Sequence, residues 1–229
     1  MPEGHYVLMM TEIKEEINDM LNSKLQTIEP AYKKIRNAYL NPYDWSEIDI
    51  LRHEACYCIA FSLNQAAITI TNHMLESFLK YSITYKEANN NEKFKNLKNL
   101  SELTEYFSAI MTKYNSQNLI FTINMAHSLG IINHAQKIKL HEYRNSMRNA
   151  YSHADQKKMY NDQEISVQLL TVNTEEGIKI KDKSNEQIFN MPFVHSISQM
   201  YHAENYSIEY FIYLDSVIRY SIPIIFPNS

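Results

Sequence analysis

An imidazole and a guanidinium set five positions apart can move a proton and neutralise a phosphate. An unperturbed histidine side chain titrates near neutrality, so an imidazole such as that of His153 can take or give a proton at physiological pH. Arg148 carries five N–H donors in a fixed fork suited to the non-bridging oxygens of a phosphate. Both lie in the run Leu140-His141-Glu142-Tyr143-Arg144-Asn145-Ser146-Met147-Arg148-Asn149-Ala150-Tyr151-Ser152-His153-Ala154-Asp155. At about 100° per residue, Leu140, Tyr143, Met147, Ala150, Tyr151 and Ala154 share one arc, the expected core stripe. Arg144, Arg148, Ser152, Asn145, Asn149 and His153 fall on the opposite half. Asn149 and His153 are four apart and share a face, and Arg148 reaches round towards it.

Charge gathers at the same place. Lys137, Lys139, Arg144, Arg148, Lys157 and Lys158 stand against only Glu142 and Asp155, a local net charge of +4. The whole chain is −4, which leaves −8 for the remainder. An acidic chain is a poor general binder of nucleic acid, so an RNA substrate needs a local basic patch, and this segment supplies one.

Arg148-Asn149-Ala150-Tyr151-Ser152-His153 resembles the R-x4-H motif of the HEPN superfamily, in which a polar residue directly follows the Arg. The likeness is sharp from Leu140 to Asp155 and looser over 46–220, where Met74-Leu75-Glu76-Ser77-Phe78-Leu79-Lys80 is similar to the family's early helix. The resemblance implies an all-α domain of bacterial toxin–antitoxin or anti-phage systems. Many members are metal-independent endoribonucleases whose site forms where two protomers' motif helices meet. It therefore implies a cytoplasmic homodimer acting on RNA without a cofactor, with an antitoxin or defence-system partner. Arg148, Asn149 and His153 are the candidate catalytic residues. Arg144, Asn145, Ser152, Lys157 and Lys158 are the candidate substrate-binding residues. Residues 46–229 are then the HEPN-like domain, and 1–45 are an N-terminal helical extension packed on it. One departure is plain: toxins silenced by nucleotidylation of a Tyr carry R-x4-H-x-Y, and here that position is Asp155. The other reading of the same face is a non-catalytic helical module that dimerises or docks a partner.

Rival sites are weaker. Ile35-Arg36-Asn37-Ala38-Tyr39-Leu40-Asn41 repeats Arg-Asn-Ala-Tyr but places Asn where the motif needs His, and reads as surface helix. His127, His134 and His141 are seven apart, yet Gly130 is expected to end the helix between the first two, and no metal site is expected. Glu76 reads as a solvated residue or as a partner for the motif Arg, with the solvated reading preferred. Asp215 and Arg219 read as a surface ion pair worth little. Cys56 and Cys58 point apart on a helix and read as buried reduced thiols.

The elements that must hold this segment are helical. Three Gly and six Pro in 229 residues are too few for the many tight turns of a sandwich or barrel. No Gly-rich phosphate loop can be built from them. Ile13, Ile17, Leu21, Leu25 and Ile28 step by four and three up to Pro30, where a break is expected and a second helix opens. Asn41-Pro42-Tyr43-Asp44 reads as a turn. Ser46 to about Lys86 is too long for one ordinary helix and implies two, or a kink near Asn64. Leu97 to Tyr114 is amphipathic, Asn118 to Leu129 stops at Gly130, and Asn133 caps the motif helix, expected to run to about Ala154. Alternation at Ile165, Val167, Leu169 and at Ile178, Ile180 reads as one β-hairpin over 164–183. Helical spacing resumes from Ile197 until Ser221-Ile222-Pro223. The expectation is a mainly all-α bundle of about seven helices with one inserted hairpin. No apolar stretch approaches the ~18 residues of a membrane span, and the N-terminal apolar run is short for a signal peptide.

Overall fold

A computed structural model of the chain describes residues 3–89, 99–149, 151, 167–173, 177–183 and 192–227. Among them are seven α-helices: α1 (Glu3–Leu40), α2 (Ser46–Ala60), α3 (Asn64–Asn89), α4 (Leu100–Asn115), α5 (Leu119–Ser128), α6 (His134–Tyr143) and α7 (Pro192–Ile225). A six-residue π-helical stretch, Arg144–Asn149, continues α6. Strands β1 (Val167–Asn173) and β2 (Gly177–Lys183) pair antiparallel, with Val167 opposite Lys183 and Asn173 opposite Gly177. Among the described residues no helix is long and apolar enough to cross a membrane.

α3 is the central rod. It packs against α2, α4, α5, α7 and the π-helical stretch. Its apolar positions, Met74, Leu75, Phe78, Leu79 and Ile83, are wholly buried and meet Phe211, Leu214 and Ile218 of α7. Trp45, in the link between α1 and α2, seals one end, edge-on to Phe226 at 5.3 Å and Tyr85 at 5.8 Å. A smaller cluster of Ile68, Tyr143, Met147, Ala203 and Tyr210 lies beneath the motif segment.

Local signals end most of these helices. α2 stops in a turn where Ser62 has φ 58°, and α3 then begins at Asn64. Asn118 accepts the Phe121 amide at 2.9 Å and starts α5. Gly130, at φ 70°, adopts the left-handed conformation that lets the chain leave α5. Asn133 and Gln136 form a reciprocal capping box at the start of α6.

Pro30 breaks the rule that placed a helix end there. α1 runs through it without interruption, losing the one hydrogen bond the ring cannot donate. Ile35 and Ala38 beyond it are buried in the core, and that burial holds the helical direction. α7 likewise passes through Pro223 to Ile225. Upstream of the proline, α1 carries its apolar stripe into solvent. Ile13, Ile17, Met20, Leu21 and Leu25 are 38–58% exposed.

A polar network joins α1, α2 and α7. Tyr43 donates its hydroxyl to Asp215 Oδ1 at 2.6 Å, and Asp215 Oδ2 accepts from Arg219 Nε at 2.9 Å. Arg219 also donates to the Asn41 carbonyl at 2.7 Å and lies 4.9 Å over the Tyr43 ring. Asp49 accepts the Tyr43 and Trp45 amides and the Arg52 guanidinium. Asp215 is 7% exposed, so the expected surface pair is in fact a buried junction. Its environment is set by Tyr43, which no i to i+4 spacing can reveal. Cys56 is buried and Cys58 half-buried, both as free thiols, and burial pushes the Cys56 thiol up to about 12.

Candidate active site on the motif helix

The segment from Leu140 to Tyr151 is anchored by the expected stripe. Leu140, Tyr143 and Met147 are buried and Tyr151 is half-buried. The Tyr143 ring lies tilted against that of Tyr210, centroids 4.7 Å apart, and its hydroxyl donates to Glu209 at 3.1 Å. Burial, with Glu209 beside it, pushes the Tyr143 phenol well above the usual range. Tyr151 reaches α7, its hydroxyl 3.1 Å from the Gln199 carbonyl and 3.0 Å from Nδ1 of His202.

Arg148 is not where an α-helical wheel puts it. Its Nε donates to Oε1 of Glu76 on α3 at 2.9 Å, and both side chains are about one-third exposed. Arg148 lies within the π-helical winding of 144–149. A π-helix closes its hydrogen bonds one residue later than an α-helix, so each residue turns through less than about 100°. Such a lag accumulates along the stretch and turns later positions away from their places on an α-helical wheel. The solvated reading of Glu76 is therefore overturned in favour of its role as the motif Arg's partner.

Arg144 and Asn145 engage each other. Arg144 donates to Asn145 Oδ1 at 2.6 Å, and its Nη1 lies 3.4 Å from Nδ1 of His141. His141 Nε2 lies 3.3 Å from Asn124 Oδ1 on α5. Asn145 is exposed and Asn149 half-buried. Ser152, His153, Lys157 and Lys158 lie outside the described residues, as does the end of the motif helix near Ala154. The structure thus brings Arg148 to Glu76 and Arg144 to His141.

Burial first, then Arg144 and Lys137, press the His141 imidazole below its usual value. Its neutral form is favoured by folding, so its contribution to stability is whole above about pH 6.5 and is lost as the pH falls through the folded value. A proton NMR titration is expected to place the His141 midpoint below 6.5. A midpoint at or above that value would show that neither burial nor the neighbouring cations disfavour the imidazolium there.

His127 and His134 come closer than their separation by Gly130 implied, their rings 5.7 Å apart edge to face. Among the described residues no group of three His, Cys, Asp or Glu side chains is placed to hold a metal ion. Beside the motif segment, α1, α6 and α7 enclose a cavity of about 550 Å³ lined by Lys34, Lys139, Tyr143, Ile208, Glu209 and Tyr213, among others. Lys139 sits 4.9 Å over the Tyr143 ring at its edge.

Sequence reading missed Asn72, Tyr210, Glu209 and His202. For Asn72 a signal existed: it stands four residues before Glu76, on the same helical face. The residues of α7 carried no such mark. No family model, curated protein or solved structure matches this chain.

Proposed function

We propose that the protein is a metal-independent endoribonuclease of the toxin or anti-phage defence type, with the HEPN-like architecture of about seven helices and one inserted hairpin. The observation that carries the reading is the Arg148–Glu76 pair. The Arg of an R-x4-H motif lies in a π-helical winding and is held by a carboxylate from another helix. Such windings are frequent at functional sites, and a held guanidinium is oriented before substrate arrives.

In this reading His153 accepts the proton of a ribose 2′-OH, and the 2′ oxygen attacks the adjacent phosphorus. Arg148 stabilises the charge that builds on the non-bridging oxygens. The bond to the 5′ oxygen breaks, and that oxygen takes a proton from a second acid, water or His153 of the partner subunit. The products are a 2′,3′-cyclic phosphate and a 5′-hydroxyl. Asn149 orients His153 or a phosphate, and Arg144, Asn145, Ser152, Lys157 and Lys158 bind the strand. The enzyme is a cytoplasmic homodimer with its motif helices at the two-fold axis, and an antitoxin or defence-system protein is its partner.

Single-stranded RNA incubated with the protein in EDTA is expected to yield fragments ending in 2′,3′-cyclic phosphate. Cleavage that requires added divalent metal, or no cleavage by the dimer, would overturn the assignment. A second reading, a non-catalytic dimerisation or docking module, is favoured by the same ion pair seen as a plain fastening between α3 and the motif helix. That reading gains if the protein dimerises without touching RNA.

A further inference from the structure

The π-helical winding has a neighbour positioned to maintain it. Asn72 is 7% exposed on α3, one turn before Glu76. Its Nδ2 faces the Met147 carbonyl at a long 3.5 Å, and its Oδ1 accepts from the Tyr210 hydroxyl at 2.8 Å. Tyr210 is wholly buried on α7. Its ring lies tilted against that of Tyr143, the last α-helical residue before the π stretch.

In an α-helix the Met147 carbonyl takes the amide four residues on, that of Tyr151. A π-helix lengthens that span by one residue. A side-chain amide presented to this carbonyl supplies a donor that does not depend on α spacing, and a buried carbonyl needs one. Buried polar groups are costly unless paired, so Asn72 would be an expensive choice among Ile68, Met74 and Leu75 if it bonded nothing.

We propose that Asn72 and Tyr210 are positioning residues that hold Arg144–Asn149 in the π register, and that this register sets Arg148 on Glu76. One face of α3 then grips the motif helix twice, through backbone at Met147 and through side chain at Arg148. The register part rests on geometry alone. Its consequence for catalysis rests on the ribonuclease reading.

The test is the Nε–H resonance of Arg148, assigned by its loss in Glu76→Gln. In the wild-type protein at neutral pH the carboxylate slows its exchange, so the signal is sharp. In Asn72→Ala and in Tyr210→Phe the helix relaxes towards α spacing, and the signal is expected to disappear while the circular dichroism spectrum stays helical. Should Asn72→Ala fail to fold, Tyr210→Phe, which keeps the ring on Tyr143, decides the matter. A signal that persists in the folded variants overturns the proposal, and so does its absence from the wild type. Where RNA is cleaved, Tyr210→Phe is expected to lower kcat at least tenfold with KM within twofold, since Arg148 is misplaced rather than removed. A wild type that leaves RNA intact defeats the ribonuclease reading and not this one, because the resonance reports register without turnover.

Discussion

On the proposed ribonuclease reading, alanine in place of His153 or Arg148 is expected to reduce RNA cleavage by a factor of about 10² or more. That is the range for removing an acid–base group or a transition-state donor. The two variants separate on stability. Arg148→Ala leaves the Glu76 carboxylate without its Nε donor, and a pair about one-third exposed is worth about 1 kcal/mol or less. For a chain of this size that corresponds to a fall in Tm of roughly 2–4 °C. On the same reading His153→Ala removes a group that serves the substrate, and should leave the melting temperature unchanged. Arg36→Ala is the control, since Arg36 is exposed and its copy of the motif lacks the His. Undiminished cleavage by His153→Ala would show that the chemistry belongs to other residues.

The largest stability effect is expected at Asp215→Ala, about 3 kcal/mol. Removing one member of a buried, hydrogen-bonded charge pair costs on the order of 3–5 kcal/mol, and partial exposure of Arg219 argues for the lower end. The loss includes the Tyr43 hydroxyl, which burial and Asp215 together hold protonated far above its usual range. Tyr43→Phe should cost about 1 kcal/mol, a single hydrogen bond. Urea unfolding midpoints measure both. An Asp215→Ala midpoint within error of the wild type would mean that α1 and α7 are joined by apolar packing alone.

These residues mark the boundary of what the sequence discloses. Gly130, the Asn133 cap and the turn near Asn64 are legible because each is settled by a few neighbouring residues. Tyr43 and Asp215 lie 172 residues apart, and Arg148 and Glu76 72 apart. Periodicity reports which face of a helix is apolar and is silent on what faces it. The stripe from Ile13 to Leu25 illustrates the point: its spacing matches that of a buried helix, yet the residues stand in solvent. Pro30 misled because propensity is local and the burial of Ile35 and Ala38 is not. The winding at Arg144–Asn149 was hidden for a related reason, since a π turn leaves no compositional trace and shifts every later residue on the wheel.

The placement of α7 bears on how the protein is made. α3 buries Met74, Leu75, Phe78 and Leu79 against a helix that starts about a hundred residues after α3 ends. A ribosome adding roughly 5–20 residues per second delivers that helix on the order of ten seconds later. Through that interval the apolar face of the central rod has only its earlier neighbours for cover. A slower codon tract between α3 and α7 would lengthen the time for which that face waits for its partner helix.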